Sequence, residues 1–332
     1  MAFINIYVHN DAYLSVKNNQ LVLSNKNNEQ SYPIEDINSI MIESLNSTIT
    51  SYTLNFLIQN KALFYVCDEK HLPSAVLLPF NNFYKPLSVY KIQSQAKEPI
   101  NKNIWKNIII SKIENQAKVA IYAGSTLGEK ILEISRNVKS GDSQNAEAHA
   151  ASLYFREVFG FTFTREQENF VNGALNYCYS IVRGAIARSI TVHGLLGFLG
   201  IHHKSELNQF NLADDLIEPF RPVVDNLVLF ISKITNEESI SPSTKMQLLN
   251  ILNTNVLIND KLQPISYAIE IVVESFVSCL TNNNSCIILP KFVGLEIHEY
   301  EWEDYEINGI FWFANKNSWR SKDCKFFQKI FN

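Results

Sequence analysis

Residues 168–194, ENFVNGALNYCYSIVRGAIARSITVHG, are apolar almost all the way round a helical projection. Such a segment predicts a long helix buried in the centre of a domain, since no face of it suits water. Its Asn172, Asn176, Tyr177 and Arg183 then need polar partners. Further helices are expected around it. NIWKNIIISKIENQAKVAIYAG (103–124) carries an apolar stripe, and others are expected near 145–160, 212–234, 241–253 and 262–280. Gly194, Gly197, Gly200 and the TNNNS run at 281–285 mark loops.

Upstream the period changes from helical to alternating. INIYVH (4–9), AYLSV (12–16), QLVLS (20–24), SIMIES (39–44), ALFYVCD (62–68) and SAVLLPF (74–80) read as strands, with one helix at 51–62. The expectation is α+β: a small N-terminal β-rich domain (1–80) with antiparallel pairing, a linker (81–98), and a larger all-α domain (99–288). In residues 289–332, Asn308-Gly309 stands between alternating and apolar runs, which signals a β-hairpin in a C-terminal extension. Trp302, Trp312 and Trp319 gather there.

The 332 residues are enough for two domains, and 46% hydrophobic with 19% charged is ordinary for a globular chain. Five cysteines with no C-x-x-C pair suggest neither a disulfide framework nor a zinc ribbon, so a reducing cytoplasm is expected. The N-terminal MAFINIYVHNDAYL has no signal-peptide pattern, and charged residues interrupt the apolar runs, so no membrane association is expected. The net charge of −4 is low for a nucleic-acid binder, but the charge is segregated. Seven lysines (85, 91, 97, 102, 106, 112, 118) lie between Lys85 and Lys118 against only Glu98 and Glu114. They form either a phosphate-neutralising stretch or a solvated helix face.

The chemistry concentrates in residues 200–222, GIHHKSELNQFNLADDLIEPFRP. His202 and His203 precede Asp214, Asp215 and Glu218 on one short helix, with Asn211 as its cap. Asp215 and Glu218 are three apart and would share a face. Imidazole with carboxylates suits Mg²⁺, Mn²⁺ or Zn²⁺. The structural alternatives are a helix-start acid at Asp214 and a surface ion pair between Glu218 and Arg221. In NAEAHAASLYFREVFG (145–160), Glu147 lies on the stripe of Ala150, Ala151, Tyr154 and Val158, a packing face on which a carboxylate needs a partner or a metal. GLLGFLG (194–200) follows a helix and lacks G-x-G-x-x-G spacing, so it is a tight turn that presents His203 and not a nucleotide loop.

The order of these segments resembles a family. Glu147, Ala150, Ala151 and Tyr154 form E-x-x-A-A-x-x-Y. Asn172 to Tyr177 gives N-x-A-L-N-Y, and the G-x-x-G-x-x-G-I-H-H loop and L-x-D-D-L-x-E-P-F-R-P helix follow. Residues 1–290 thereby resemble the larger, DNA-cutting and DNA-joining subunit of the CRISPR spacer-acquisition integrase, most of all members from systems with a single large effector nuclease. The resemblance implies metal ligands at Glu147, His203 and Glu218, where Glu218 replaces the aspartate of many members. It implies supporting or DNA-contacting roles for His202, Asp215, Arg221 and Tyr177. Spacing favours His203 over His202 as the ligand. The implied cofactor is Mg²⁺ or Mn²⁺, and the implied substrates are double-stranded spacer DNA and the CRISPR repeat. The implied assembly is a homodimer paired through the β-domain, with a small second adaptation protein. A repair nuclease for branched DNA and a non-catalytic DNA-binding scaffold are the other function classes.

Overall fold

A computed structural model describes residues 4–25, 28–80, 85–235, 237–294 and the strand at 310–313. In chain order the elements are β1 (Ile4–Val8), β2 (Tyr13–Lys17), β3 (Gln20–Ser24), β4 (Glu29–Pro33), β5 (Ile37–Ile42), β6 (Thr48–Ile49), α1 (Ser51–Gln59), β7 (Leu63–Cys67) and β8 (Pro73–Val76). Then follow α2 (Pro86–Ser94), α3 (Glu98–Tyr122), α4 (Gly128–Arg136), α5 (Ala146–Phe159), α6 (Phe170–Val192), α7 (Asn211–Leu216), α8 (Arg221–Ile234) and α9 (Pro242–Leu249). The hairpin β9 (Asn255–Ile258) and β10 (Lys261–Pro264), α10 (Ile265–Asn282) and β11 (Ile310–Phe313) complete the order.

The N-terminal half holds two sheets, ordered β11-β1-β5-β7-β8 and β4-β3-β2-β6. The antiparallel expectation holds for β2–β3–β4 but fails at the centre, where β1–β5 and β5–β7 pair in parallel. The reason is double-sided burial. Ile6, Val8, Ile40, Ile42 and Phe64 pack toward Leu14, Leu21, Leu23 and α1. The alternate residues Tyr7, Met41, Leu63, Tyr65 and Cys67 join the helical core. A sheet covered on both faces is where parallel strands occur, and its strands lose polar alternation. Tyr65 donates its hydroxyl to the Ile181 carbonyl at 2.8 Å. A Cβ at Gly184 would stand 2.5 Å from the Tyr65 ring, so the close approach of α6 to the sheet needs glycine there. The turn Asn308-Gly309 lies outside the described residues, but the strand that follows it, β11, pairs antiparallel with β1 as the sheet's edge.

The helical half has α3 and α6 as its buried centre. The helix expected over 212–234 is broken: α7 ends at Leu216, a 3-10 turn spans Glu218–Phe220, and α8 begins at Arg221. Pro219 and Pro222 account for the break, since proline removes a donor and clashes with the preceding turn. Asn211 is not the cap; Phe210 is, and the Asn211 amide donates to the Phe198 and Ser205 carbonyls. Part of the expected linker is helix α2, whose Gln93 amide donates to the carbonyls of Leu196 and Leu199 at 3.0 Å each. Helix α10 is long and apolar enough to cross a membrane by composition, yet half of that window is buried in the protein core.

Candidate metal centre

Two glutamates from separate elements converge on one ammonium. Lys112 of α3 reaches Glu147 Oε1 of α5 at 2.5 Å, and it also contacts Glu218 Oε2 in the 3-10 turn. Arg221 Nε donates to the other oxygen, Glu218 Oε1, at 2.8 Å. Side-chain exposure rises from 6% at Glu218 and 10% at Lys112 to 28% at Glu147, and it reaches 44% at His203. The centre is therefore closed at Glu218 and open toward His203. Burial alone would raise the Glu218 pKa, but the charges of Lys112 and Arg221 bring it down to about 2. Burial likewise opposes the charge on Lys112, and Glu218 and Glu147 reverse that, leaving its pKa above the usual lysine value. Glu218 Oε2 has no aligned hydrogen-bond donor; it has only the ammonium contact.

Each acid is held from behind. Asp142 accepts from the backbone N–H groups of Ala146 and Glu147, at 2.8 and 3.1 Å, and so fixes the first turn of α5. Asn115 lies on α3 one turn beyond Lys112, fully buried. Its amide donates to the carbonyls of Pro219 and Pro290, and its oxygen accepts from Phe292 N–H. A saturated buried amide of this kind fixes the turn that carries Glu218.

The histidine arm is built on Asp215, which is wholly buried. One carboxylate accepts the backbone N–H groups of Ile201, His202 and His203, and His203 Nδ1 donates to its Oδ1 at 2.7 Å. That hydrogen bond is the largest cause of the raised His203 pKa. It also fixes the tautomer, leaving Nε2 as the free ring nitrogen. His202 stacks flat on Trp105, with centroids 4.3 Å apart, while His203 meets the same indole edge-on at 5.9 Å. Trp105 and Lys112 are seven apart, so both lie on the face of α3 that the site uses. A Cβ at Gly200 would sit 2.3 Å from the His203 carbonyl oxygen, which requires glycine at this bend.

The fold thus brings Glu147 and Glu218 to one ammonium, with His203 near enough for the Glu218 charge to act on its ring. Among the described residues, no three His, Cys, Asp or Glu side chains stand close enough together to hold a metal ion as they are placed, and the Lys112 ammonium lies between Glu147 and Glu218. Asp215 and Glu218 do not act together as their spacing suggested, because the break at Pro219 sends Asp215 to the histidine loop and Glu218 to Lys112. Tyr177 is fully buried on the Cys67 and Glu43 side of the core, so it is not beside Glu147, His203 and Glu218. Asp214 forms a two-pronged pair with Arg183, at 2.6 and 2.9 Å.

With that geometry in hand, the known proteins it matches are informative. Residues 6–251 match the family model described as CRISPR associated protein Cas1. The chain belongs to the Cas1 family. It is 37% identical over 304 residues to the CRISPR-associated endonuclease Cas1 of Neisseria meningitidis serogroup C (strain 8013), covering 91% of this chain and 100% of that one. A casposase bound to integration product shares the fold at TM-score 0.70, with 20% identity over 86% of this chain and 92% of the casposase. A chain of a Cas6-RT-Cas1–Cas2 complex does so at TM-score 0.64 and 15% identity, over 85% of this chain and 35% of that one.

Two residues beside the candidate ligands are not the ones expected from the sequence. Lys112 reads as one of seven lysines on a solvated or phosphate-facing stripe, but it is the buried member and faces the acids. Asn115 gave no signal beyond being a polar residue on an apolar face. For both, the available clue was position: each falls on the buried side of α3.

Proposed function

We propose that Glu147, His203 and Glu218 of this Cas1 protein hold a divalent cation, Mg²⁺ or Mn²⁺, for phosphoryl transfer on double-stranded DNA. The observation that carries this reading is the convergence of Glu147 and Glu218 on one positive charge. The donor set fits. Glu218 Oε2 lacks an aligned donor, two carboxylates suit a hard cation, and His203 Nε2 is released by the bond from Nδ1 to Asp215. The chain is a CRISPR-associated endonuclease and integrase. When bound, the metal supplies Lewis-acid stabilisation of charge on the phosphoryl and leaving oxygens.

The chain's own groups do the rest. The 3′-hydroxyl oxygen of the spacer strand attacks phosphorus at the repeat boundary and gives up its proton to solvent; a new P–O ester forms, the old P–O3′ bond breaks, and the departing 3′-oxygen takes up a proton from solvent. One phosphodiester replaces another, so no energy source is consumed. Asp215 orients His203 throughout, and Asn115 and Arg221 keep the Glu218 carboxylate aimed. In this reading the DNA approaches from the His203 and Glu147 side, which is the more exposed end of the site.

A homodimer through the β-domain (1–80) completes the proposal, as does a complex with a small second adaptation protein, the latter supported by the Cas2-containing complex of a fold relative. Among the described residues three of four cysteines are buried and all are free, in keeping with a reducing cytoplasm. The test is integration of a labelled 3′-OH duplex into a repeat-bearing plasmid with Mn²⁺ and the partner protein. Label in plasmid with wild type and none with Glu218→Ala is expected. Equal labelling by both overturns the ligand assignment, and nicking without labelling favours a repair nuclease.

A further inference from the structure

We infer that Lys112 is a built-in competitor for the metal: its ammonium holds the Glu147–Glu218 pair, and a divalent cation must displace it to bind. This rests on the metal reading above and adds a residue to it. Glu147 Oε1 and Glu218 Oε2 both touch Lys112 Nζ, so the oxygens that a cation would use are already engaged. Arg221 is not in the same position, because it takes Glu218 Oε1 from the other side and leaves Oε2 to the lysine. The pairing is no surface accident: the Lys112 side chain is only 10% exposed, and α3 is pinned beside it by Asn115.

The consequence has a definite sign. With Lys112 in place, the two acids are neutralised and gain less from a cation. When the cation enters, the displaced ammonium stays tethered nearby on its four-carbon stem and repels it. Both effects weaken metal binding. Removing the charge should therefore tighten binding while leaving Glu147 without its counter-ion and buried Glu218 with Arg221 alone, which destabilises the metal-free protein. A merely structural lysine would destabilise the fold but would not tighten metal binding.

The test is a Mn²⁺ titration, with free Mn²⁺ read by electron paramagnetic resonance, on wild type, Lys112→Met, Lys112→Gln, Lys112→Arg and Glu218→Gln. Thermal midpoints are taken with and without metal. Lys112→Met and Lys112→Gln should bind Mn²⁺ at least about tenfold more tightly than wild type. Lys112→Arg, which keeps the charge, should stay within about threefold of wild type. The midpoint of Lys112→Met should fall without metal and rise more than that of wild type when Mn²⁺ is added. If Lys112→Met does not fold, the comparison of Gln with Arg carries the test. Saturable binding that Glu218→Gln removes, with neutral variants no tighter than wild type, overturns the competition and leaves the metal site standing. No saturable binding by any of the proteins overturns both.

Discussion

Two buried glutamates in this molecule are held by lysines from distant elements, and they are built for different ends. Glu43, at the end of β5, is enclosed. Its Oε2 accepts from Tyr7 and from His9 at 2.5 Å, while its Oε1 faces Lys245 of α9 and His71. Burial raises its pKa, but Lys245, Tyr7 and His9 outweigh that and lower it. Both of its oxygens are taken, and Lys245 ties the β-rich half to the helices, as do the Asn5–Asn250 and Asn38–Asn253 bonds. Glu218 has one oxygen fixed by Arg221, and the other offered to a lysine it shares with a second acid. A saturated carboxylate is a fastener, whereas one left with a single exchangeable cation is a site.

That contrast can be broken by experiment. The largest effect is expected at Glu218→Ala, where strand transfer should fall on the order of a thousandfold, since several kcal/mol of charge stabilisation go with the metal. The integration assay reads it. A loss equally large in Glu43→Ala, measured at a temperature where that variant is folded, would erase the distinction. Glu43→Ala should instead lower unfolding stability by about 3 kcal/mol in denaturant titration, because Lys245 is left buried and unpaired, with Mn²⁺ affinity unchanged.

Asp215→Asn sharpens the comparison within the site. It weakens the hold on His203 and on three backbone N–H groups, so Mn²⁺ affinity should drop about tenfold to a hundredfold, the usual cost of losing the group behind a ligand. Calorimetric titration checks it. The smallest effect on metal binding and strand transfer concerns Asp225, buried against the Tyr179 hydroxyl, whose pKa burial raises from 3.8 to about 6. The folded state keeps this proton between those values and the unfolded chain releases it. Its contribution is therefore fully present below about pH 4 and is lost as pH rises through about 6, at no more than about 1.4 kcal/mol per pH unit. Asp225→Asn should remove that slope from the difference in stability between variant and wild type across pH 4–6.

The helices were legible because their apolar period repeats over many turns, as in α3 and α6. The parallel centre of the sheet was not, since INIYV reads the same beside either neighbour and only its double-sided burial decides. The break before Arg221 was signalled by Pro219 and Pro222 and overridden by the apolar stripe. The hairpin β9–β10 was likewise signalled, by Asn259-Asp260, both of positive φ in its turn. Within the site, Glu147, His203 and Glu218 came from the order of motifs. Lys112 could not, because burial of one lysine in a run of seven depends on which face of α3 meets α5 and the Glu218 turn, which is a property of packing.

The most direct measurement is anomalous diffraction from crystals grown with Mn²⁺. A peak among Glu147, Glu218 and His203 is expected, with the Lys112 ammonium moved out from between the two acids. Ordered Mn²⁺ elsewhere on the chain, with Lys112 still bridging Glu147 and Glu218, would contradict it.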